Sequence, residues 1–180
     1  MIATDNSIIS SAITFDGKYL FVLDEDGFLI QFDIKRQKKI KHYGNVLLEG
    51  LIGNIAITFD NKYLFIEGSK CLKQFDIKQQ KLIQSYEGMF IELNGLLAFT
   101  YDSQYLFIKD KFDLKQLDIK KQKFVKNYEF LKEHQETKAM AISNNSKYCF
   151  TLDHCGNLDQ IDIENRDKFN KYGNTFPHEG

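Results

Sequence analysis

Residues 56–86 read AITFDNKYLFIEGSKCLKQFDIKQQKLIQSY, and the chain of 180 residues repeats this pattern three more times. The first alanines of the four copies, Ala12, Ala56, Ala98 and Ala141, are separated by 44, 42 and 43 residues. The copies differ in length only between their second and third apolar runs and after their last tyrosine. Segments that vary between patterned runs are typical of loops, so the sequence predicts four copies of one structural unit.

Each copy predicts four short β-strands, as the second copy illustrates. Residues 55–58 form a short run of small and apolar residues, and residues 63–66 are apolar without alternation, which indicates a strand buried on both faces. Residues 72–75 alternate and end at Asp76, and residues 82–86 are amphipathic, which suits an edge strand. A helical solenoid is the alternative for a period of this length, but the apolar residues do not recur at helical spacing.

The turn between the first and second strands reads FDGK, FDNK, YDSQ or NNSK in the four copies. Gly17 and Asn61 occupy the position where a positive φ is expected, because both residue types tolerate the left-handed region. Ser103 and Ser146 occupy the same position and suit it less well.

Four antiparallel strands per repeat predict an all-β chain, namely a β-propeller of four blades. The predicted blades are residues 8–46, 52–89, 95–131 and 138–175. A blade in such a fold buries both faces against its neighbours, so four blades leave two terminal faces to cover. The blades could close on themselves, pair with another chain such as a second copy, or belong to a longer protein. We expect one of the last two, which make the chain a partial propeller or one that another chain completes.

Two motifs carry a resemblance to a known family. The first is Asp-Gly/Asn-Lys-Tyr-Leu-Phe, and the second is Leu-x-Gln-Phe/Leu/Ile-Asp-Ile at the end of the third strand. Together they resemble the WD-repeat propeller family. The family's Trp-Asp pair corresponds to Phe-Asp, Leu-Asp or Ile-Asp in this chain. The family's Gly-His pair is missing. The chain is also similar to propellers with Tyr-Val-Thr-Asn repeats. The resemblance implies that the repeated aspartates are structural residues that fasten each blade by hydrogen bonds. These aspartates are Asp33, Asp76, Asp118 and Asp162.

Positive charge is concentrated in the turns between the third and fourth strands, which carry a formal charge of +9 in the first three repeats. The loops expected at the other end carry −5 between the second and third strands and −5 between blades. We call the cations of these turns the basic rim: Lys35, Arg36, Lys38, Lys39, Lys78, Lys81, Lys120, Lys121 and Lys123. Such a rim suits an acidic partner, such as an acidic tail, a phosphate or an anionic lipid headgroup. Alternatively, the lysines only solubilise outer hairpins and protect edge strands.

No catalytic motif is present, and we expect neither catalysis nor a cofactor nor a metal. The strongest alternative is a metal site built from three histidines on loops of the acidic end, with Cys155 beside one of them. These histidines are His134, His154 and His178. Ordinary exposed loop histidines are the simpler interpretation. The apolar residues of the longer loops are the first candidates for partner contacts: Met89, Phe90, Leu93, Phe130, Leu131 and Phe176.

The sequence therefore predicts a non-catalytic protein–protein interaction scaffold, acting as an adaptor or as an assembly component of a larger complex. The alternative is a propeller-type enzyme or metal-binding domain with its site on the acidic loop face. A net charge of −1 and a pI of about 6.4 argue against specific nucleic-acid binding. The odd number of cysteines, three, favours a reducing cytoplasmic compartment, and no apolar run approaches the ~20 residues of a membrane span.

Overall fold

The computed structural model describes residues 7–46, 52–68, 70–88, 96–109, 113–128, 137–165 and 169–174. All regular elements in these ranges are β-strands, which confirms the predicted all-β class. In chain order they are β1 (Ile8–Ile13), β2 (Tyr19–Asp24), β3 (Phe28–Asp33), β4 (Lys38–Asn45), β5 (Ile52–Ile57), β6 (Tyr63–Gly68), β7 (Cys71–Asp76), β8 (Lys81–Glu87), β9 (Leu96–Phe99), β10 (Tyr105–Lys109), β11 (Leu114–Asp118), β12 (Lys123–Tyr128), β13 (Thr137–Ile142), β14 (Tyr148–Asp153), β15 (Asn157–Asp162) and β16 (Phe169–Asn174). Among the described ranges, none holds a helix with the length and apolarity needed to span a bilayer.

The strands form four antiparallel sheets of four strands, and each sheet runs in sequence order. We call these sheets blades 1 to 4. The chain divides into two compact units, Met1–Gly95 with blades 1 and 2, and Leu96–Gly180 with blades 3 and 4.

The second strand is buried in blades 1 to 3 because its apolar residues face both sides of the sheet, whereas β14 of blade 4 alternates between buried and partly exposed residues. Leu64, Phe65 and Ile66 of β6 are completely or almost completely buried, as are their equivalents in β10. Burial of one such side chain stabilises the fold by about 1.5–3 kcal/mol. The unalternating apolar run in the sequence therefore identified the centre of each sheet correctly.

In the first unit, the core lies between two blades. Phe21, Leu23 and Leu29 lie on one side of blade 1, which we call the trailing face. They share an apolar cluster with residues from the opposite side of blade 2, which we call the leading face. The leading-face residues of this cluster are Ile55, Ile57, Leu64, Ile66, Phe75 and Ile77. Each blade thus offers two apolar faces, because successive side chains of a strand point to opposite sides.

The second unit repeats this arrangement. Phe107, Leu114 and Tyr128 of the blade 3 trailing face are completely buried. They share a cluster with the leading face of blade 4, which contributes Cys149, Ile161 and Ile163. The same pair of faces therefore packs in both units.

The turn between the first two strands has the predicted backbone. Gly17, Asn61, Ser103 and Ser146 all have positive φ, between 57° and 68°. Two of these side chains also link neighbouring blades. The backbone N–H of Phe15 donates to Asn61 Oδ1 at 2.6 Å, and that of Tyr101 donates to Ser146 Oγ at 2.9 Å.

The hairpin between the third and fourth strands has a feature that the sequence did not reveal. Gln37, Gln80 and Gln122 have φ values of 52°, 53° and 55°. In each of these hairpins the pairing register also shifts at the equivalent place on the third strand, as it does between Gln74 and Phe75 in blade 2. A bulge of this kind commonly requires one residue in the left-handed region, here a glutamine.

Candidate interaction surfaces

The four repeated aspartates lie at the ends of the third strands, where each accepts a backbone hydrogen bond from its own hairpin turn. Oδ1 of Asp33 accepts from the N–H of Arg36 at 2.8 Å, and Oδ1 of Asp118 accepts from the N–H of Lys121 at 2.9 Å. Asp76 and Asp162 accept equivalent bonds at 2.7 Å and 2.8 Å. These bonds support the structural role that the resemblance implies for the aspartates.

All nine cations of the basic rim are exposed. Six of them lie in the first unit, on blades 1 and 2, and three lie on blade 3 in the second unit. Two of the nine approach the aspartate of their own turn. The Lys121 ammonium lies 3.0 Å from Asp118 Oδ2, and Arg36 Nε lies 3.9 Å from Asp33 Oδ2. In both pairs the aspartate is buried and the cation is exposed, so the rim still presents its cations to solvent.

The carboxylates expected to form an acidic face do not all reach solvent. Asp24 and Asp153 are buried at the ends of their strands. Asp24 Oδ1 accepts from the N–H of Phe28 at 2.8 Å, and Asp153 Oδ1 accepts from the N–H groups of Cys155 and Asn157 at 2.9 Å and 2.8 Å. The sequence count treated these carboxylates as free loop residues, whereas the structure buries both of them and uses them to form turns.

Glu67, at the end of β6, is also buried, with only 1% of its surface exposed. Its Oε2 accepts from the backbone N and Nδ2 of Asn54 at 3.2 Å and 3.3 Å. Its Oε1 has no hydrogen-bond partner among the described residues. Burial raises the pKa of Glu67 to about 7, and the bonds from Asn54 lower it only in part. Glu67 is therefore a further carboxylate of this end that does not carry an exposed charge.

The predicted metal-site alternative is only partly covered by the structure. His154 and Cys155 are exposed neighbours, with His154 Nε2 and Cys155 Sγ 3.3 Å apart. His134 and His178 lie outside the described residues. Within the described part of the chain, no three side chains of His, Cys, Asp or Glu converge in a group that could hold a metal ion.

The six apolar residues expected to contact a partner, Met89, Phe90, Leu93, Phe130, Leu131 and Phe176, also lie outside the described residues. Their role stays a prediction.

A repeated glutamine–tyrosine pair was not assigned a role from the sequence. The Tyr86 hydroxyl donates to Gln74 Oε1 at 2.7 Å, across β7 and β8. The same bond is present in the other blades, between Tyr43 and Gln31, Tyr128 and Gln116, and Tyr172 and Gln160. The repeat itself contained the signal, since a glutamine is followed by a tyrosine after 12 residues in all four copies.

Solved structures with this fold are known. The chain is similar to a structure of RRP9 WD40 repeats with a TM-score of 0.74 and 17% identity, over 94% of this chain and 52% of that one. A structure of U3-55K gives a TM-score of 0.73 and 17% identity, over 94% and 53% of the two chains. Hydrazine synthase from Kuenenia stuttgartiensis gives a TM-score of 0.69 and 18% identity, over 91% and 53%.

The similarity lies in the fold and not in the sequence. No protein-family model matches this chain, and no curated protein matches it in sequence. The chain spans about half the length of the solved structures that it resembles. With four antiparallel sheets of four strands and these structural neighbours, the protein has the β-propeller fold of WD40-repeat structures.

Proposed function

We propose that this protein is a non-catalytic protein–protein interaction scaffold that serves as an adaptor or as an assembly component of a larger complex. One observation carries the proposal. The polar side chains that recur in every blade are occupied by hydrogen bonds within the fold, as for Asp118 with Lys121 and Tyr128 with Gln116. What remains for recognition is the exposed surface of the turns and loops, which is typical of scaffolds built on a repeated framework.

The basic rim supplies the chemistry of recognition. All of its nine cations are exposed, and blades 1 to 3 each carry at least two of them. Lysine and arginine side chains of this kind attract an acidic segment of a partner protein and accelerate the encounter. We therefore propose that the partner binds the rim through a stretch rich in aspartate and glutamate.

The fold by itself does not decide between binding and catalysis. Hydrazine synthase, whose name is that of an enzyme, shares the architecture. The buried and bonded positions of Asp24 and Asp153 support the scaffold, since these carboxylates are not available to a substrate or a metal ion.

Affinity purification of the tagged chain from native extract tests the proposal. One variant reverses three charges of the rim through the substitutions Lys35→Glu, Lys38→Glu and Lys39→Glu. A control variant carries Lys70→Glu, Lys138→Glu and Lys171→Glu, at positions that are also exposed, and changes the net charge by the same amount. We expect a stoichiometric protein partner with the wild type and the control at low salt, and its loss with the rim variant. Recovery of no partner, or equal loss from both variants, would contradict the proposal.

A further inference from the structure

Aromatic side chains occupy one repeated position in the turn between the first and second strands. Phe15 of blade 1 is 59% exposed, and Tyr101 at the equivalent position of blade 3 is 45% exposed. Phe59 holds this position in blade 2 and is half-buried, whereas blade 4 has Asn144. The turn of blade 4 has the same backbone hydrogen bonds and the same positive φ as the others. The turn itself therefore does not need an aromatic residue at this position.

In the first unit two of these rings form an aromatic pair, Phe15 and Phe59. Their centroids lie 4.5 Å apart, at an interplanar angle of 37°. The backbone N–H of Phe15 also donates to Asn61 Oδ1 in the neighbouring turn, at 2.6 Å. Because the rings contact each other and Phe15 is mostly exposed, the pair presents one apolar surface to solvent.

The same two turns hold two cations in defined positions. The Lys18 ammonium lies over the ring of Tyr19, 4.8 Å from its centroid, and the Lys62 ammonium lies over the ring of Tyr63 at 4.9 Å. Both lysines are exposed. A cation–π contact restricts the position of such a charge and leaves it available to an anion from solvent.

The hairpin turns of the basic rim are bonded to these turns. The N–H of Ile34 donates to the carbonyl oxygen of Lys18 at 3.0 Å, and the N–H of Ile77 donates to that of Lys62 at 3.0 Å. The rim cations of blades 1 and 2 follow directly after these isoleucines. The aromatic pair and the rim therefore share one end of the first unit, and every contact that builds this end lies within that unit.

Positive charge is in excess at this end of the first unit. Its four turns contain eight cations, all exposed, and four aspartates. Each aspartate accepts a backbone N–H of its own turn, at distances between 2.7 and 3.0 Å. The turns span residues 14–18, 33–39, 58–62 and 76–81. The surface thus combines an apolar pair with a surplus of exposed cations.

We propose that the acidic segment of the partner carries an aromatic side chain, which packs on Phe15 and Phe59 while the flanking carboxylates contact Lys18, Lys62 and the rim. Cations attract an acidic segment over long distances, but exposed charge pairs are weak and do not fix its position. An apolar anchor fixes the position. This partner chemistry rests on the proposed function and specifies the segment that the rim attracts.

A single strand of nucleic acid is also anionic but fits this surface less well. Single strands bind with successive bases stacked on successive aromatic faces. The pair offers one mostly exposed ring, that of Phe15, because Phe59 is half-buried and in contact with it. Such a surface suits one apolar side chain and not a row of bases.

Two synthetic peptides of equal length and charge provide the test on the full chain. One has glutamates around a central phenylalanine, and the other has alanine at that place. We expect the wild type to bind the phenylalanine peptide roughly three- to tenfold more tightly, because part of an aromatic side chain leaves water. Higher salt should weaken the binding of both peptides and leave the ratio of their dissociation constants nearly unchanged, since screening acts on the charges.

Variants of the pair and of the lysines should change different quantities. Phe15→Ala should bring the ratio close to one, whereas Phe15→Tyr, with the ring that blade 3 has at this position, should keep it. Phe124→Ala removes an exposed phenylalanine from β12 and is the matched control, with the wild-type ratio. Lys18→Gln with Lys62→Gln should weaken the binding of both peptides and keep the ratio. Loss of folded protein lowers both apparent affinities together, so it does not change the ratio.

Four results would overturn the inference. Equal affinity of the wild type for both peptides would remove the anchor and leave the acidic partner of the proposed function standing. A wild-type ratio in Phe15→Ala would show that the phenylalanine of the peptide binds elsewhere. Tighter binding of a single-stranded oligonucleotide of equal charge than of the phenylalanine peptide would assign the surface to nucleic acid. Binding of neither peptide would contradict the acidic partner and the anchor together.

Discussion

The hydroxyl of Tyr128 donates a 2.8 Å hydrogen bond to Oε1 of Gln116 on the neighbouring strand, and both side chains are completely buried. The amide nitrogen Nε2 of Gln116 has no hydrogen-bond partner among the described residues. This single bond is therefore the only compensation that the structure gives to the buried amide of Gln116 in the described part of the chain. The same pair recurs in every blade, which makes it part of the framework and not of a variable surface.

Tyr128→Phe should destabilise the protein clearly more than Tyr172→Phe. Removal of the Tyr128 hydroxyl leaves the amide of Gln116 buried without its partner, and such a loss costs about 1–3 kcal/mol. Tyr172 is half exposed, so water replaces its hydroxyl as a partner of Gln160 and the loss should be below about 0.5 kcal/mol. Denaturant unfolding of both variants measures the difference. Equal losses would show that the pair has no special role where it is buried.

The sequence predicted those parts of the fold that depend on local patterns. The apolar run around Leu64 to Ile66 predicted a central strand, and Gly17 and Asn61 predicted the positive φ of their turns. Both features follow from residue type and spacing alone.

Features that depend on register were not predicted from the sequence. Gln74 and Tyr86 meet only because β7 and β8 pair in one register with a shift next to Gln74. The strand predicted at residues 63–66 stops before Glu67, whereas β6 extends as far as Gly68 and carries the glutamate into the interior. Alternation along a strand places a side chain on a face only when the end of the strand is known. For the same reason, the cations assigned to the rim are exposed, whereas Asp24, Glu67 and Asp153 at the other end are buried.

Glu67 should make the stability of the protein fall as the pH rises from about 4.5 to above 7. Its pKa is raised by burial from 4.5 to about 7, so the folded state binds the proton more tightly than the unfolded state does. Ionisation then costs roughly 3 kcal/mol of stability at pH 8 compared with pH 4. Glu67→Gln keeps an acceptor for Asn54 and removes the charge.

We therefore expect Glu67→Gln to be more stable than the wild type at pH 8 and to differ little from it near pH 4. Denaturant unfolding at several pH values measures the free energy of unfolding of both proteins. Glu87→Gln, at an exposed position of β8, is the control and should follow the wild type at every pH. A constant difference between wild type and Glu67→Gln over this range would refute the assignment.

Asp118→Ala should remove the hydrogen bond that closes the hairpin turn of blade 3. Loss of such an acceptor typically costs about 1–2 kcal/mol, and Asp118→Asn, which retains an acceptor, should cost less. Burial alone raises the pKa of Asp118, but the backbone and side-chain bonds from Lys121 outweigh it and lower the pKa below its usual value of 3.8. The stabilisation is therefore present above pH 3.8 and is lost as the pH falls through the lowered pKa. A wild-type advantage over Asp118→Ala that grows at low pH would contradict this account.

Gln37→Gly should stabilise the protein. Gln37 is exposed and has a φ of 52°, a conformation that costs a residue with a side chain about 1–2 kcal/mol and glycine almost nothing. The greater freedom of glycine in the unfolded chain offsets part of this stabilisation. We therefore expect the free energy of unfolding to rise by about 0.5–1 kcal/mol. The control Lys38→Gly changes the next residue, which is the first of β4. Lys38 has no strained φ to relieve, so this variant should destabilise the protein. Thermal unfolding distinguishes the two, and a loss with Gln37→Gly would show that the glutamine side chain stabilises the turn.

Glu164→Lys should extend the basic rim to blade 4. Glu164 is exposed and occupies the position that Lys35, Lys78 and Lys120 occupy in the other hairpin turns. We use a poly-glutamate peptide as the probe, since it represents the acidic segment expected of the partner. The change of two charges should tighten binding of this peptide at low salt, because the long-range attraction is then weakly screened.

The gain in affinity for the peptide must disappear at high salt, because the screening length falls from about 10 Å at 0.1 M to about 3 Å at 1 M. Glu87→Lys carries the same change of charge at the end of β8 and is the matched control. If the rim binds acidic segments, Glu164→Lys tightens binding by severalfold and Glu87→Lys by clearly less. Equal effects of the two variants would mean that only net charge matters, and the hairpin turns would then have no special part in recognition. Titration of the peptide against both variants decides between these outcomes, because a local rim makes the two positions differ and a diffuse charge does not. Repeating the titration at high salt tests that the gain in affinity is electrostatic.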